Sequence, residues 1–210
     1  MKIAEIVRQP PVKALRVVYH VGTLDVRQKS NFSHEGRGLS VSLHPDEWQK
    51  IARGQVSGDL WKLENPQGRF LNFHAWRRNP TRAAIKWGVE AGLIILKSVF
   101  RAEYEDDDIG ETMYVDFDSI EAARAEGYET AKKLPASPTM TSKLAAYMGW
   151  RQPELTMSLD ALAVAYSDHL GLDGVWWQDK LDVGAYSAPR GVILPNRIRG
   201  WKRTLLAPKR

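Results

Sequence analysis

Two short stretches of this chain place chemically able side chains beside backbone that a ligand can approach closely. The first is Tyr19-His20-Val21-Gly22-Thr23. An imidazole there can exchange a proton near neutral pH, and the glycine two residues on admits close approach of another backbone or a bound molecule. The second is Glu35-Gly36-Arg37-Gly38-Leu39-Ser40-Val41-Ser42. Ser40 and Ser42 are two apart, so on a strand both hydroxyls point to one face, either a cleft or the outer face of an edge strand. His34 and His44 flank that strand and could reach ligand phosphates or solvent. Other site types find no support: the chain has no phosphate-binding loop, no dinucleotide-binding glycine pattern, no HExxH and no calcium loop. With no cysteine, a thiolate metal site is also excluded.

The elements that must hold these residues follow from periodicity and turn chemistry. Residues 15–20 (LRVVYH) are β-branched and aromatic, which suits a buried strand. Residues 21–37 read as a long loop, and loops of that length are usually functional. Residues 38–43 alternate apolar and hydroxyl side chains, as a half-buried strand does. Pro45 then opens a helix with Asp46 and Glu47 in its first turn and Trp48 and Ile51 on one face. The stretch 61–74 has the form of a hairpin around Asn65-Pro66-Gln67-Gly68. A helix is expected over 81–91, an apolar strand from Leu93, and a strand over 111–117. Asp118 and Glu121 are spaced as a capping box for a helix reaching about Leu134, followed by a linker over 135–138. Residues 158–170 read as an amphipathic helix that Gly171 can end, and 174–177 and 191–194 as short strands joined by a polar stretch over 178–189. There is no βαβα rhythm, so the expectation is an α+β fold with a mixed, largely antiparallel sheet and flanking helices, in one domain spanning 1–210.

Taken together, these segments resemble the ADP-ribosyltransferase superfamily of diphtheria-toxin-like enzymes and poly(ADP-ribose) polymerases. In that family the first strand ends in a His-Gly-Ser/Thr motif that holds NAD⁺; here the similar residues are His20, Gly22 and Thr23, with Val21 inserted. A later strand and an aromatic residue on the next helix line the nicotinamide pocket, which resembles Gly38-Leu39-Ser40-Val41 and Trp48. The Ser40-x-Ser42 spacing is similar to the Ser-Thr-Ser of the arginine-modifying branch. The stretch from Tyr186 to Ile198 resembles the closing strand of the polymerase branch, where a catalytic glutamate begins a short apolar strand; this chain has Arg190 there. The resemblance implies NAD⁺ as co-substrate, His20, Gly22, Thr23, Ser40, Ser42 and Trp48 in its cleft, and an acid from the preceding loop, Asp182 ahead of Asp179. Such an acid is needed because breaking the nicotinamide–ribose bond develops oxocarbenium-like charge that a carboxylate stabilises. Trp176 and Trp177 are then candidates for an aromatic wall that excludes water, or for core packing.

Composition limits the alternatives. With 43% hydrophobic and 26% charged residues, the chain is an ordinary globular protein and not a disordered one. No run approaches the ~20 apolar residues of a membrane span, and the first residues lack the apolar core of a signal peptide, so a cytoplasmic protein without membrane contact is expected. The net charge of +5 and a pI near 9.4 fit an acidic or nucleic-acid partner. The acceptor of ADP-ribose is then a protein or a nucleic acid. Small transferases of the superfamily occur as toxins and phage or defence factors, which admits a small antitoxin-like protein as a further partner. Two other readings belong beside the enzyme. One is a non-catalytic nucleic-acid binder using His74-Ala75-Trp76-Arg77-Arg78 and Arg199-Gly200-Trp201-Lys202-Arg203. The other is a degenerate transferase fold kept for protein interaction, which the missing glutamate would explain.

Overall fold

The computed structural model describes residues 10–25, 36–53, 58–74, 80–106, 111–153, 158–184 and 187–208. Of the sequence readings, residues 26–35 of the long loop with His34 and Glu35, the 75–78 part of the first aromatic–basic cluster, and Tyr186 lie outside the described residues. The chain forms β1 (Val12–Ala14), β2 (Val17–Val21), β3 (Leu39–Ser42), α1 (Pro45–Arg53), β4 (Leu60–Glu64), β5 (Arg69–Asn72), α2 (Pro80–Glu90), β6 (Ile94–Lys97), β7 (Phe100–Asp106), β8 (Glu111–Phe117), α3 (Ile120–Ala125), β9 (Lys132–Lys133), β10 (Ser137–Met140), α4 (Ser142–Met148), α5 (Ser158–His169), β11 (Gly174–Trp177), β12 (Arg190–Ile193) and β13 (Lys202–Ala207). The main sheet has eight strands in the order β1-β5-β11-β12-β3-β2-β4-β13, and only the β5–β11 pair is parallel. The fold is therefore the mixed, largely antiparallel α+β arrangement expected.

This sheet cannot be flat. β1 and β2 are joined by Leu15 and Arg16 alone, yet they hold the first and sixth places in the strand order. Five strand spacings of about 4.8 Å would separate them by about 24 Å, whereas three Cα steps reach about 11 Å. The sheet curls until the two meet. The expected hairpin over 61–74 is replaced by the feature that closes it. β4 and β5 do not pair with each other; β4 pairs with β2, and β5 with β1. Leu15 N–H donates to Gly68 O at 3.0 Å and Asn65 N–H to Arg16 O at 2.9 Å, so the pairing runs on through the Asn65–Gly68 turn. Turn chemistry that reads as a reversal here makes a bulge in one long bent strand, whose extra residues sharpen the curl.

Curling gives the sheet an inside and an outside. Inside are Leu15, Val18, Leu39, Val41, Leu63, Phe70, Trp176 and Ile193, closed by Ile198 and Trp201. Outside, Leu71, Val175, Trp177, Val192 and Leu194 pack under α2, α4 and α5. Helix α5 is buried on every side from Ala161 to Ser167, so it is not amphipathic as expected; it is a core helix with alanines at 161, 163 and 165 that let neighbours come close. Gly171, at φ +69°, ends it as the sequence pattern requires.

The remaining strands form two small sheets, β10–β6 and β8–β7–β9. The stretch 135–138, read as a linker, instead enters β10, and Glu103, Glu105 and Asp106 lie on strand β7. The helix expected from Asp118 to Leu134 is only α3: Ser119, not Asp118, caps it through its Oγ to Ala122 N–H at 3.1 Å, and Gly127 at φ +90° follows its end. No helix among the described residues is long and apolar enough to cross a membrane.

Candidate functional site

A cleft of about 410 Å³ opens where β5 and β11 end side by side and β12 begins, lined by Phe73, His74, Asp160, Trp177, Gln178, Asp179 and Arg190. Chain ends of parallel strands are where α/β proteins commonly bind ligands, because the loops diverge there and leave a crevice. Arg190 Nε lies 2.9 Å from Asp179 Oδ2, with the side chains 29% and 35% exposed. Trp177 is 5% exposed, and its Nε1–H donates to Asp160 Oδ1 at 2.7 Å, tying the wall of the cleft to the first turn of α5. Phe73 meets Trp177 with ring centroids 6.1 Å apart and planes tilted by 47°. Below them, Gln178 Oε1 accepts from Trp176 Nε1 and from Lys13 Nζ, each at 3.3 Å. The Lys13 ammonium lies 4.9 Å from the Trp176 ring centroid, and burial pulls its pKa below the usual lysine value. The cleft thus brings together two carboxylates, a guanidinium, an imidazole and two aromatic rings.

Strand register explains why Arg190 sits here. Trp177 pairs with Arg190, Arg190 with Ser42, Ser42 with Tyr19 and Tyr19 with Lys62. Cross-strand partners share a face, so these side chains form one row across the outside of the sheet. Ser42 is fully buried in that row; its Oγ–H donates to Pro189 O at 2.7 Å and its oxygen accepts from His44 N–H at 3.3 Å. Ser42 therefore fixes the residue that leads into β12, and with it the start of Arg190. Gly191 is the necessary neighbour: a Cβ there would come within 2.8 Å of both the Trp176 ring and Val175 O.

His20 does not join this row. It follows Tyr19 on β2, so its side chain lies on the opposite face from Ser42 and, by the same alternation, from Ser40. The single cleft expected for His20, Ser40 and Ser42 is not formed, because strand pairing brings β2 and β3 together while the pleat sends these side chains apart. His20 is 4% exposed, with Nδ1 2.7 Å from Ser40 O and Nε2 3.0 Å from Thr23 O. A ring carrying one proton donates to one of these carbonyls, and a ring carrying two donates to both.

Gly22 and Thr23 serve the same segment. Gly22 has φ +128°, its N–H donates to Asp59 O at 2.8 Å, and its O accepts from Trp61 Nε1 at 3.1 Å. Gly58 must itself lack a side chain here, since a Cβ on it would stand 2.3 Å from Gly22 Cα. Thr23 is exposed, and its Oγ1 accepts from Asp25 N–H at 3.1 Å. Trp48 lies half-buried on α1, which packs along β2, and does not line the Arg190 cleft. Asp182 exchanges two backbone hydrogen bonds with Ser187, of 2.8 and 2.9 Å, and also does not line it. Of the two candidate acids, only Asp179 is in the cleft.

Asp160 and Phe73 were not legible as site residues, and His74 was read only within the aromatic–basic cluster over 74–78. They reach Asp179 through the parallel β5–β11 pair and the packing of α5, and neither relation leaves a local signal in the sequence. The Arg37-Gly38 end of the second stretch lines a different cleft of about 320 Å³, where Asp168 accepts from Tyr147 OH and Asn196 Nδ2, each at 3.0 Å. Burial and Asp168 together push the Tyr147 hydroxyl far above the usual tyrosine pKa. Among the described residues no group of three or more His, Asp or Glu is placed to hold a metal ion. No protein-family model matches the chain, and neither does any curated protein or solved structure.

Proposed function

We propose that this protein is an NAD⁺-dependent ADP-ribosyltransferase whose acid is Asp179. The observation that carries the reading is the adjacency of the three motif-like segments. β2, β3 and β12 are consecutive strands of one sheet, and the strand that begins with Arg190 opens directly onto a carboxylate-bearing cleft. In the resemblance Arg190 stands where the polymerase branch carries glutamate, and an Asp179 carboxylate 2.9 Å from its Nε supports the reading that this acid serves instead.

The chemistry follows from the lining. Arg190 is a planar fork suited to the pyrophosphate of NAD⁺. Trp177 and Phe73 offer ring faces and edges to a flat heterocycle and keep water from one side of it. As the nicotinamide–ribose bond lengthens, positive charge grows on the ribose; Asp179 stabilises it, and nicotinamide leaves with the bonding electron pair. An acceptor nucleophile, or water, then takes the ribose carbon and loses its proton. Gly22, Thr23, Ser40 and Trp48 lie outside the Arg190 cleft, and in this reading they, like His20 and Ser42, act through the backbone and packing of β2, β3 and α1.

The test is release of nicotinamide from labelled NAD⁺, with and without cell lysate as a source of acceptors. Release that is lost in Asp179→Asn supports the reading. Absence of both NAD⁺ binding and release rejects it. A second reading, a transferase fold that binds NAD⁺ without turnover, is favoured by the direct pairing of Arg190 with Asp179, which offsets the carboxylate charge. Binding without release, unchanged by Asp179→Asn, selects it.

A further inference from the structure

Charge in this chain is segregated. Between β6 and β9, residues 98–131 hold eleven carboxylates against two cations, a net of −9, so the remainder carries +14 for an overall +5. After Asp182 there is no carboxylate at all, while Arg190, Arg197, Arg199, Lys202, Arg203, Lys209 and Arg210 follow. The fold turns this tail into a surface. Arg199 lies in a 3-10 turn, Ile198–Gly200, directly before β13, and Lys202 and Arg203 are the first residues of that strand. All three are exposed. β13 is last in the sheet order, so its outer edge pairs with no strand among the described residues. Lys62 pairs with Thr204, and Arg16, exposed, immediately precedes Val17, which pairs with Glu64. Glu64 is the single carboxylate on the β2–β4–β13 ladder, and Lys62 occupies it at 2.8 Å.

We infer that this edge is a phosphate-binding track for nucleic acid. Lys202 and Arg203 are adjacent on the outermost strand, so their side chains leave it on opposite faces and flank its edge, where two cations can take neighbouring phosphates of a polyanion running along it. The unpaired N–H groups of an outermost strand add phosphate donors. The track does not read bases by stacking. Trp201, the aromatic residue of the Arg199–Arg203 cluster, is 2% exposed, set edge-on against Phe70 at 5.8 Å, with Nε1 donating to Asp173 at 3.3 Å. Contact is therefore with the backbone and is independent of sequence. Where the transferase reading holds, the nucleic acid on this track is the acceptor; the surface itself does not depend on that reading.

The experiment uses the full chain and a labelled, mixed-sequence DNA single strand of about 16 nucleotides, near the upper site size of single-strand-binding folds, with no NAD⁺ present. Anisotropy titrations between about 50 and 200 mM salt should show log affinity falling linearly with log salt. In the Lys202→Gln/Arg203→Gln variant, affinity should fall at every salt and the slope should shrink by about 1.4, two phosphates at about 0.7 each. Both residues are exposed, so far-UV circular dichroism should be unchanged. Undetectable binding at the lowest salt overturns the inference, as does a variant with wild-type slope. Equal binding of an oligoglutamate of the same charge overturns it in favour of an acidic protein partner. NAD⁺ binding measured on the same variant separates the two proposals: the variant keeps it if the cleft is as described, whatever happens to DNA.

Discussion

Trp177 and Arg190 face each other directly across the antiparallel β11–β12 pair, and each is held by a different carboxylate: Trp177 Nε1 by Asp160 at 2.7 Å and Arg190 Nε by Asp179 at 2.9 Å. One cross-strand pair thus sets two acids at one cleft by two different means. The indole hydrogen bond uses up a lone pair of Asp160, and the guanidinium compensates the charge of Asp179. The two acids should separate in their effects.

Asp179→Asn keeps the size of the side chain and removes its charge. Loss of a preorganised charge-stabilising group costs on the order of 10²–10³ in rate, so nicotinamide release should fall by about that factor with NAD⁺ affinity little changed. Removing one partner of this half-buried pair should cost stability on the order of 1 kcal/mol, a loss that a urea titration separates from turnover. Asp182→Asn, whose backbone pairs with Ser187 outside the cleft, should keep wild-type turnover. Turnover lost in Asp182→Asn and retained in Asp179→Asn would reverse the assignment.

Trp177→Phe removes one N–H while leaving an aromatic ring in the wall. Asp160 then loses a charged hydrogen bond, a class worth about 1.5–3 kcal/mol, and the urea midpoint should drop accordingly. A double-mutant cycle with Asp160→Asn should return a coupling of about 0.5–3 kcal/mol. Strict additivity of the two single variants would show that the contact contributes nothing.

The elements that were legible are those whose signal is local. The apolar runs of β11 and β12 and the Gly171 stop of α5 each carry it within a few residues. What was not legible depends on partners far away in the chain. Asn65–Gly68 has turn chemistry, but whether such a turn reverses the chain or bulges one strand is decided by β1 and β2, which pair along both sides of it. β13 carries no alternating pattern that would mark it in the sequence, being exposed from Lys202 to Leu206; only pairing with β4 makes it a strand. The resemblance puts Asp182 ahead of Asp179, yet the cleft is set by where β11 ends, two residues before Asp179.

His20→Ala should act on folding before it acts on ligand. Both ring nitrogens face main-chain oxygens, and leaving a buried acceptor unpaired costs about 1–3 kcal/mol, so thermal and urea midpoints should fall. NAD⁺ affinity per folded molecule should be preserved. A variant of wild-type stability that no longer binds NAD⁺ would instead return His20 to the cofactor.

Gly22 and Gly58 make the sharpest test of why the first motif contains its glycine. If Gly22 is there to admit a cofactor, an added methyl should weaken NAD⁺ binding in a protein that still folds normally. The geometry argues for another cause. Gly22 has φ +128°, a conformation that costs an L-residue about 1–3 kcal/mol. The space beside it is also taken: a Cβ on Gly58 would stand 2.3 Å from Gly22 Cα and 2.8 Å from its N, both backbone atoms that cannot swing aside. Gly22→Ala should therefore lower stability by about 1–3 kcal/mol through backbone strain. Gly58→Ala should lower it by at least about 1–3 kcal/mol through overpacking. Gly200 is the control, since nothing lies within 4 Å of a Cβ there and its φ is not positive. Its replacement by alanine should be neutral or stabilise by up to about 1 kcal/mol. Urea titrations of the three variants, each paired with NAD⁺ binding on the folded fraction, decide the matter: a Gly22→Ala protein with a wild-type midpoint and lost NAD⁺ affinity would show that the cofactor, and not the backbone conformation, requires the glycine.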